Sequence, residues 1–202
     1  DIHGSWSSNA GHNSPLYQSP PGDPDGSVET GIYYLANSRG IPNSKLNMGI
    51  PFWGKKYNAS QINGSFNGSV VDMHYSEILP LINNGWDYQW DNNAKCPYLV
   101  KNNQSQIITY DNPLSIQKKS EFAKDRNLGG VMVWALGYDD INSSESLTEA
   151  INTHWLSKEE GHTIVPSTIQ INAFPNPFNP KINIRFALPS ADNVKLKIFD
   201  IK

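Results

Sequence analysis

One cysteine, Cys96, stands in 202 residues. It cannot form an internal disulfide or a multi-cysteine zinc site. Charge is also scarce: 17% of residues are Asp, Glu, Lys or Arg, with a net charge of -3. No Lys/Arg cluster forms the basic patch that nucleic acid requires. No apolar run approaches the ~18–20 residues of a membrane-spanning helix. The five histidines, at positions 3, 12, 74, 154 and 162, have no metal-ligand spacing, and HExxH is absent. The Asp23–Gly26 stretch (DPDG) lacks a Glu at calcium-loop offset and reads as a turn. No metal and no cofactor is expected. The chain opens on Asp1 with neither Met nor an apolar leader, so it reads as a cut piece or a mature form.

Aromatic residues are plentiful, with 6 Trp, 9 Tyr and 7 Phe. Asn, Ser and Gly are abundant beside them. Aromatic faces among neutral hydrogen-bonding groups suit a carbohydrate surface, although packing alone accounts for most aromatic residues.

Residues 1–26 are rich in Gly and Pro and read as loop. Residues 27–39 place Val28, Ile32 and Leu35 on one helical face, with Gly40 as C-cap. Lys45–Phe52 reads as a buried strand in which Gly49 permits close backbone approach. Between 55 and 110, strand-like pieces (Ser69–Met73, Gln106–Tyr110) surround a helical stretch, Tyr75–Asn83. Residues 113–127 form a helix with Pro113 at its start and Ile116, Phe122 and Ala123 inward. Leu128–Leu136 is too apolar to alternate and reads as a strand covered on both faces. Residues 144–157 place Leu147, Ile151, Trp155 and Leu156 at helical spacing.

This order implies βα units and a parallel sheet. A closed (β/α)8 barrel needs ~250 residues. The expected class is therefore α/β: either a small three-layer sheet or one end of a larger barrel. Residues 158–167 read as a linker. Thr168–Asn172, Ile182–Ala187 and Val194–Phe199 alternate as antiparallel strands. Three strands cannot close a sandwich, so 168–202 reads as an incomplete β unit.

DIHGSW and GHNSPLY, at the start of the chain, resemble the segment after the sixth barrel strand of glycoside hydrolase family 18 chitinases. MGIPFWGKKY resembles the seventh strand, with Trp53 where Tyr is usual and Lys55 where Arg is usual. HYSEI and GWDYQWDNNAKCPYLV resemble the family's α+β insertion. ITYDNPLSIQKKSEFAKDRNLGGVMVWAL resembles its seventh helix and eighth strand. The resemblance implies a partial TIM barrel carrying about its last two strands. Residues 1–54 would run through strand 7, 55–110 would be the insertion, and 111–157 would hold helix 7, strand 8 and helix 8. FPNPFNPKINIRFALPSADNVKLKIFDI resembles the start of the immunoglobulin-like sorting domain of type IX secretion substrates. That implies a bacterial protein at the outer surface or beyond it, partnered by the secretion machinery through its tail.

In the family a DxxDxDxE motif supplies the acid Glu, and the substrate's acetamido group supplies the nucleophile. No stretch of this chain matches that motif, so the resemblance places it upstream of Asp1. These 202 residues alone are expected to be inactive. Asp1 matches the Asp that assists at the cleavage point. Trp134 matches the Trp under the scissile sugar, with Met132 its neighbour on the same side of the strand. Trp6 matches a stacking platform, Trp53 and Lys55 the Tyr and Arg positions, and Glu77 a cleft-facing Glu of the insertion. Each also has a plain structural alternative: a frayed terminus for Asp1, barrel packing for Met132 and Trp134, a solvated helix residue for Glu77. Asp139 and Asp140 are read as structural, and His3 and His12 as loop braces. The implied ligand is chitin or an N-acetylglucosamine oligomer. A non-catalytic chitin-binding relative and an exported structural or adhesin module remain alternatives.

Overall fold

The computed structural model describes residues 1–156, 169–174, 183–190, 195 and 197. The chain forms two compact units, Asp1–Ser157 and Lys158–Lys202.

In the first unit, residues 1–26 hold no helix or strand. Helix α1 (Val28–Tyr33) follows a reciprocal cap. The Ser27 hydroxyl accepts the Thr30 N–H at 3.2 Å, and the Thr30 hydroxyl accepts the Ser27 N–H at 2.7 Å, which satisfies two otherwise orphaned donors. The chain then widens into a π-type turn, Tyr34–Ser38. This turn rotates Leu35 off the Ile32 face. Ile32 is buried, while Leu35, expected inward, is exposed. Gly40 ends the helix at φ +68°, a value glycine adopts without penalty.

Strand β1 (Asn47–Pro51) leads directly into β2 (Trp53–Asn58). Next come β3 (Asn67–His74), the short helix α2 (Tyr75–Ile78), β4 (Trp86–Asp91), β5 (Cys96–Lys101) and β6 (Ile107–Thr109). Strands β2 to β6 form one antiparallel sheet in the order β3-β2-β6-β5-β4. Lys55 pairs opposite Thr109, so the sheet's entry and exit strands lie side by side. At Gly54 an added Cβ would collide with the Thr109 carbonyl, so this pairing requires a residue without a side chain.

Helix α3 (Pro113–Asp125) is capped by Asn112, whose Oδ1 accepts the Ser115 N–H at 3.0 Å. Ile116, Phe122 and Ala123 are buried, as the spacing predicts. The chain then enters β7 (Gly130–Trp134), which pairs in parallel with β1, from Asn47 opposite Gly130 to Pro51 opposite Trp134. Parallel neighbours are what a crossover through α3 requires. Helix α4 (Leu147–Ile151) closes the unit and continues as a π-type turn to Leu156. Its N-terminus rests on Asp139, whose carboxylate accepts the N–H groups of Leu147 and Thr148 at 3.0 and 2.9 Å and the Ser146 hydroxyl at 2.9 Å.

One core joins these parts. Ile50 and Phe52 pack with Tyr75, Ile78, Leu99 and Ile108 of the antiparallel sheet region, Ile116 of α3 and Leu147 of α4. Leu16, Met48, Phe122 and Leu128 anchor a second cluster beneath the parallel pair.

Two strand expectations need correction. β7 is not covered on both faces. Val131 and Val133 pack against the core, whereas Met132 and Trp134 are 51% and 60% exposed. Among the described residues β1 alone pairs with β7, and no layer packs over the row that carries Met132 and Trp134. Gly49 serves no close backbone approach either: a Cβ there meets only the Met132 methyl, at 3.6 Å. Its missing side chain instead leaves the exposed row of the strand pair open.

In the second unit, β8 (Gln170–Phe174) and β9 (Asn183–Ala187) pair antiparallel, with Gln170 opposite Ala187 and Phe174 opposite Asn183. The expected linker, the PNPFNP turn and most of Val194–Phe199 lie outside the described residues.

Candidate functional site

Because β1 and β7 are parallel and in register, their C-terminal ends coincide at Pro51 and Trp134. Phe52 N–H donates to the Trp134 carbonyl at 2.8 Å. The chain then turns into Trp53, the first residue of β2. Two indoles thus gather at the strand end where barrels place their ligands.

They divide two open hollows. The first, of about 400 Å³, is lined by Asp1, Trp53, Met132 and Trp134 over Gly49, Ile50 and Pro51. The second, of about 370 Å³, is lined by Trp53, Trp134, Asp72, His74, Glu77 and Tyr138. Trp53 and Trp134 belong to both.

Lys55 sits behind this pair. It is 5% exposed, and its Nζ lies 2.8 Å from Asp72 Oδ1 and 3.3 Å from Asp1 Oδ1. The ammonium also faces the Trp6 ring at 5.5 Å from its centroid, a favourable cation–π distance. Trp6 is 61% exposed, and its Nε1–H donates to the Ile2 carbonyl at 3.3 Å. Neither Lys55 nor Trp6 lines the two hollows. Read from sequence as a ligand contact, Lys55 instead holds three groups in place: Asp1, Asp72 and Trp6. A long flexible stem reaches them as a point charge, without the planar fork of an arginine.

Glu77 reaches the second hollow but is partly committed. Its Oε2 accepts the His74 N–H at 2.7 Å, capping α2 reciprocally. The His74 ring stacks on Tyr138 with centroids 3.7 Å apart and planes at 12°. Asp72, His74 and Tyr138 escaped sequence reasoning. Asp72 and His74 alternate along β3 opposite Lys55 and Trp53, a register visible only once β2 and β3 pair.

The loop behind Asp1 is braced by buried histidines. His3 Nδ1–H donates to the His12 carbonyl at 2.8 Å, and Nε2 pairs with Asp23 at 2.9 Å. His12 Nε2 pairs with Asp91 at 3.0 Å, and Ser19 donates to the same oxygen at 2.6 Å. Burial opposes the Asp91 charge, but His12, Ser19 and the Ala94 N–H outweigh it and hold the carboxyl well below the usual range. Burial lowers the pKa of His12; we read its ring as neutral, donating Nε2–H to the Asp91 carboxylate. Asp139 behaves alike: its donors from residues 146–148 overcome burial and keep it below the usual value. Burial pushes the Cys96 thiol up to about 12, which excludes it as a nucleophile near neutral pH. Spacing suggested no metal ligands, yet the fold brings His3, Asp23 and Asp25 within 4.8 Å of one another. Both His3 nitrogens are already engaged, so the trio acts as a hydrogen-bonded brace. Asp23 Oδ1 accepts the Asp25 N–H at 3.0 Å, forming the turn expected at DPDG.

Two indole walls and a fringe of carboxylates can hold a pyranose by stacking its C–H face and hydrogen-bonding its hydroxyls. A profile described as Glycosyl hydrolases family 18 matches residues 1–139. The chain belongs to that family. This family 18 chain is 33% identical over 187 residues to a probable endochitinase of Caenorhabditis elegans, covering 82% of this chain and 30% of the relative. A crystal structure of Ostrinia furnacalis Group IV chitinase matches with TM-score 0.69 and 30% identity, covering 78% of this chain and 48% of the other. Human YKL-39, described as a pseudo-chitinase with retained chitooligosaccharide binding properties, matches with TM-score 0.69 and 29% identity, over 78% of this chain and 49% of the other. This family 18 chain spans about a third or less of the length of the curated relatives it matches.

Proposed function

We propose that the chain is the C-terminal part of a family 18 chitinase barrel, with its α+β insertion and the start of an export domain. The parent protein hydrolyses β-1,4 bonds between N-acetylglucosamine units with retention, the substrate's acetamido group acting as nucleophile and an acid Glu standing in the segment before Asp1. The observation that carries this reading is the pair of hollows sharing Trp53 and Trp134, with Asp1 on the wall of the first. Trp134 floors the scissile sugar, Asp1 orients its acetamido group, and Met132 lines the pocket. Trp53 and Glu77 bound the neighbouring sugar, and Trp6 offers a platform outside the hollows. Lys55 acts through Asp1 and Trp6. The FPNPFNP stretch sends the protein through type IX export to the outer surface of a bacterium or beyond.

Two paired barrel strands and no DxxDxDxE sequence in these residues support the division of labour: binding here, acid chemistry elsewhere. Chitopentaose incubated with the purified 202-residue chain is expected to stay intact, and with the parent protein to be cut. Cleavage by the short chain would overturn the assignment of the acid. Pseudo-chitinase relatives such as YKL-39 support a second reading, a chitin-binding protein without turnover. A parent protein that binds chitopentaose without cutting it would establish that reading instead.

A further inference from the structure

Asn13 touches both walls of the first hollow without lining it. Its side chain is 1% exposed. Nδ2 donates to the Trp53 carbonyl at 2.9 Å. Its backbone carbonyl accepts the Ile2 N–H at 2.8 Å, next to Asp1. Its own N–H donates to the Thr109 hydroxyl at 3.2 Å on β6, opposite Lys55. One residue therefore ties the loop carrying Asp1, the strand carrying Trp53 and Lys55, and the strand that closes the antiparallel sheet.

The amide orientation is determined by its partner. A carbonyl can only accept, so Nδ2 faces Trp53 and Oδ1 points away. Oδ1 is buried with no partner. A buried acceptor without a donor is destabilising, and an apolar side chain of the same size would avoid it. The identity of residue 13 is thus explained by its donor to Trp53, not by packing.

We propose that Asn13 is a positioning residue that sets the distance between Asp1 and Trp53, and hence the width of the groove that grips the sugar. This rests on the saccharide reading above for its ligand, but not for its geometry. Asn13→Leu removes the donor while keeping the same number of side-chain heavy atoms, and Asn13→Ser, which is smaller, serves if the bulkier leucine variant does not fold. Two readouts on the full-length protein test the claim. Hydrogen exchange should quicken in peptides spanning residues 1–6 and 52–56 and stay unchanged in α3. Chitopentaose affinity, followed by tryptophan fluorescence, should fall about tenfold while the melting transition stays cooperative, in keeping with loss of one buried hydrogen bond at a binding wall. Unchanged exchange at 52–56 overturns the proposal. So does an even rise of exchange throughout the chain, which would make Asn13 an ordinary fold residue. If the unsubstituted protein does not bind chitopentaose, the saccharide reading fails, and the exchange readout still decides on Asn13.

Discussion

Trp134 stands 60% exposed at the end of β7 and borders both hollows. A large aromatic side chain can bury about 150–250 Å², so the open part of this indole offers on the order of 100 Å² to a ligand. A pyranose stacked on one face covers most of that, roughly 80 Å². At about 25 cal/mol per Å² the contact contributes about 2 kcal/mol. Trp134→Ala in the full-length protein is therefore expected to raise the chitopentaose Kd about 30-fold, measured by titration calorimetry. Trp134→Phe, with a smaller ring, should lose about half of that free energy. Folding of the 202-residue chain should change little, by about 1 kcal/mol or less, because Trp134 stands mostly outside its core. The melting temperature is the control. An alanine variant that binds within threefold of the parent protein refutes the stacking argument. A variant whose affinity falls only in step with its melting temperature shows that Trp134 supports the fold.

Other expectations concern the scaffold. Lys119 and Asp111 are 0% and 1% exposed and meet at 2.7 Å through both carboxylate oxygens; Lys119→Met strands the carboxylate and should cost about 3–5 kcal/mol in denaturant melts, and a loss under 1 kcal/mol would argue against a dry pair. The buried His12 and its partly buried partner Asp91 both have lowered folded pKa values. The unfolded chain therefore binds more protons on acidification, and stability present at neutral pH should decline from about pH 6.5 downward as unfolded His12 and then Asp91 become protonated. His12→Gln should flatten the upper part of that decline, and an unchanged profile would refute the assignment. Ser27→Ala removes the cap of α1 and should cost about 1 kcal/mol, read from the shift in denaturant midpoint.

The amino-acid sequence by itself determined the elements that depend on local chemistry. Asn112–Pro113 starts α3 because a capping amide and a proline suit the first helical turn, and Ile116, Phe122 and Ala123 recur at its period. The apolar runs around Ile50 and Val133 became strands, and the long helix α3 leading into the second made a parallel crossover the economical connection. Asp1, Trp53, Met132 and Trp134 were singled out through the family motifs they stand in, and the fold brings all four to the lining of one hollow. Tertiary structure alone decided which groups face one another. Lys55 carries a charge that sequence reading aims at a ligand, yet it is buried because β3 lays Asp72 opposite it and the loop folds Asp1 and Trp6 against its ammonium. The run Leu128–Leu136 reads as covered on both faces, yet only the Val131 and Val133 row packs against the core, and the Met132 and Trp134 row stands exposed. Asp72 and Tyr138 carry no sequence signal, and Asn13 and His74 stand inside the family motifs without an assigned role. Their importance arises from cross-strand register and from hydrogen bonds spanning 40 positions or more, as between Asn13 and Trp53. Side-chain periodicity encodes which face a residue takes within its own element, but no local rule encodes what stands across from it.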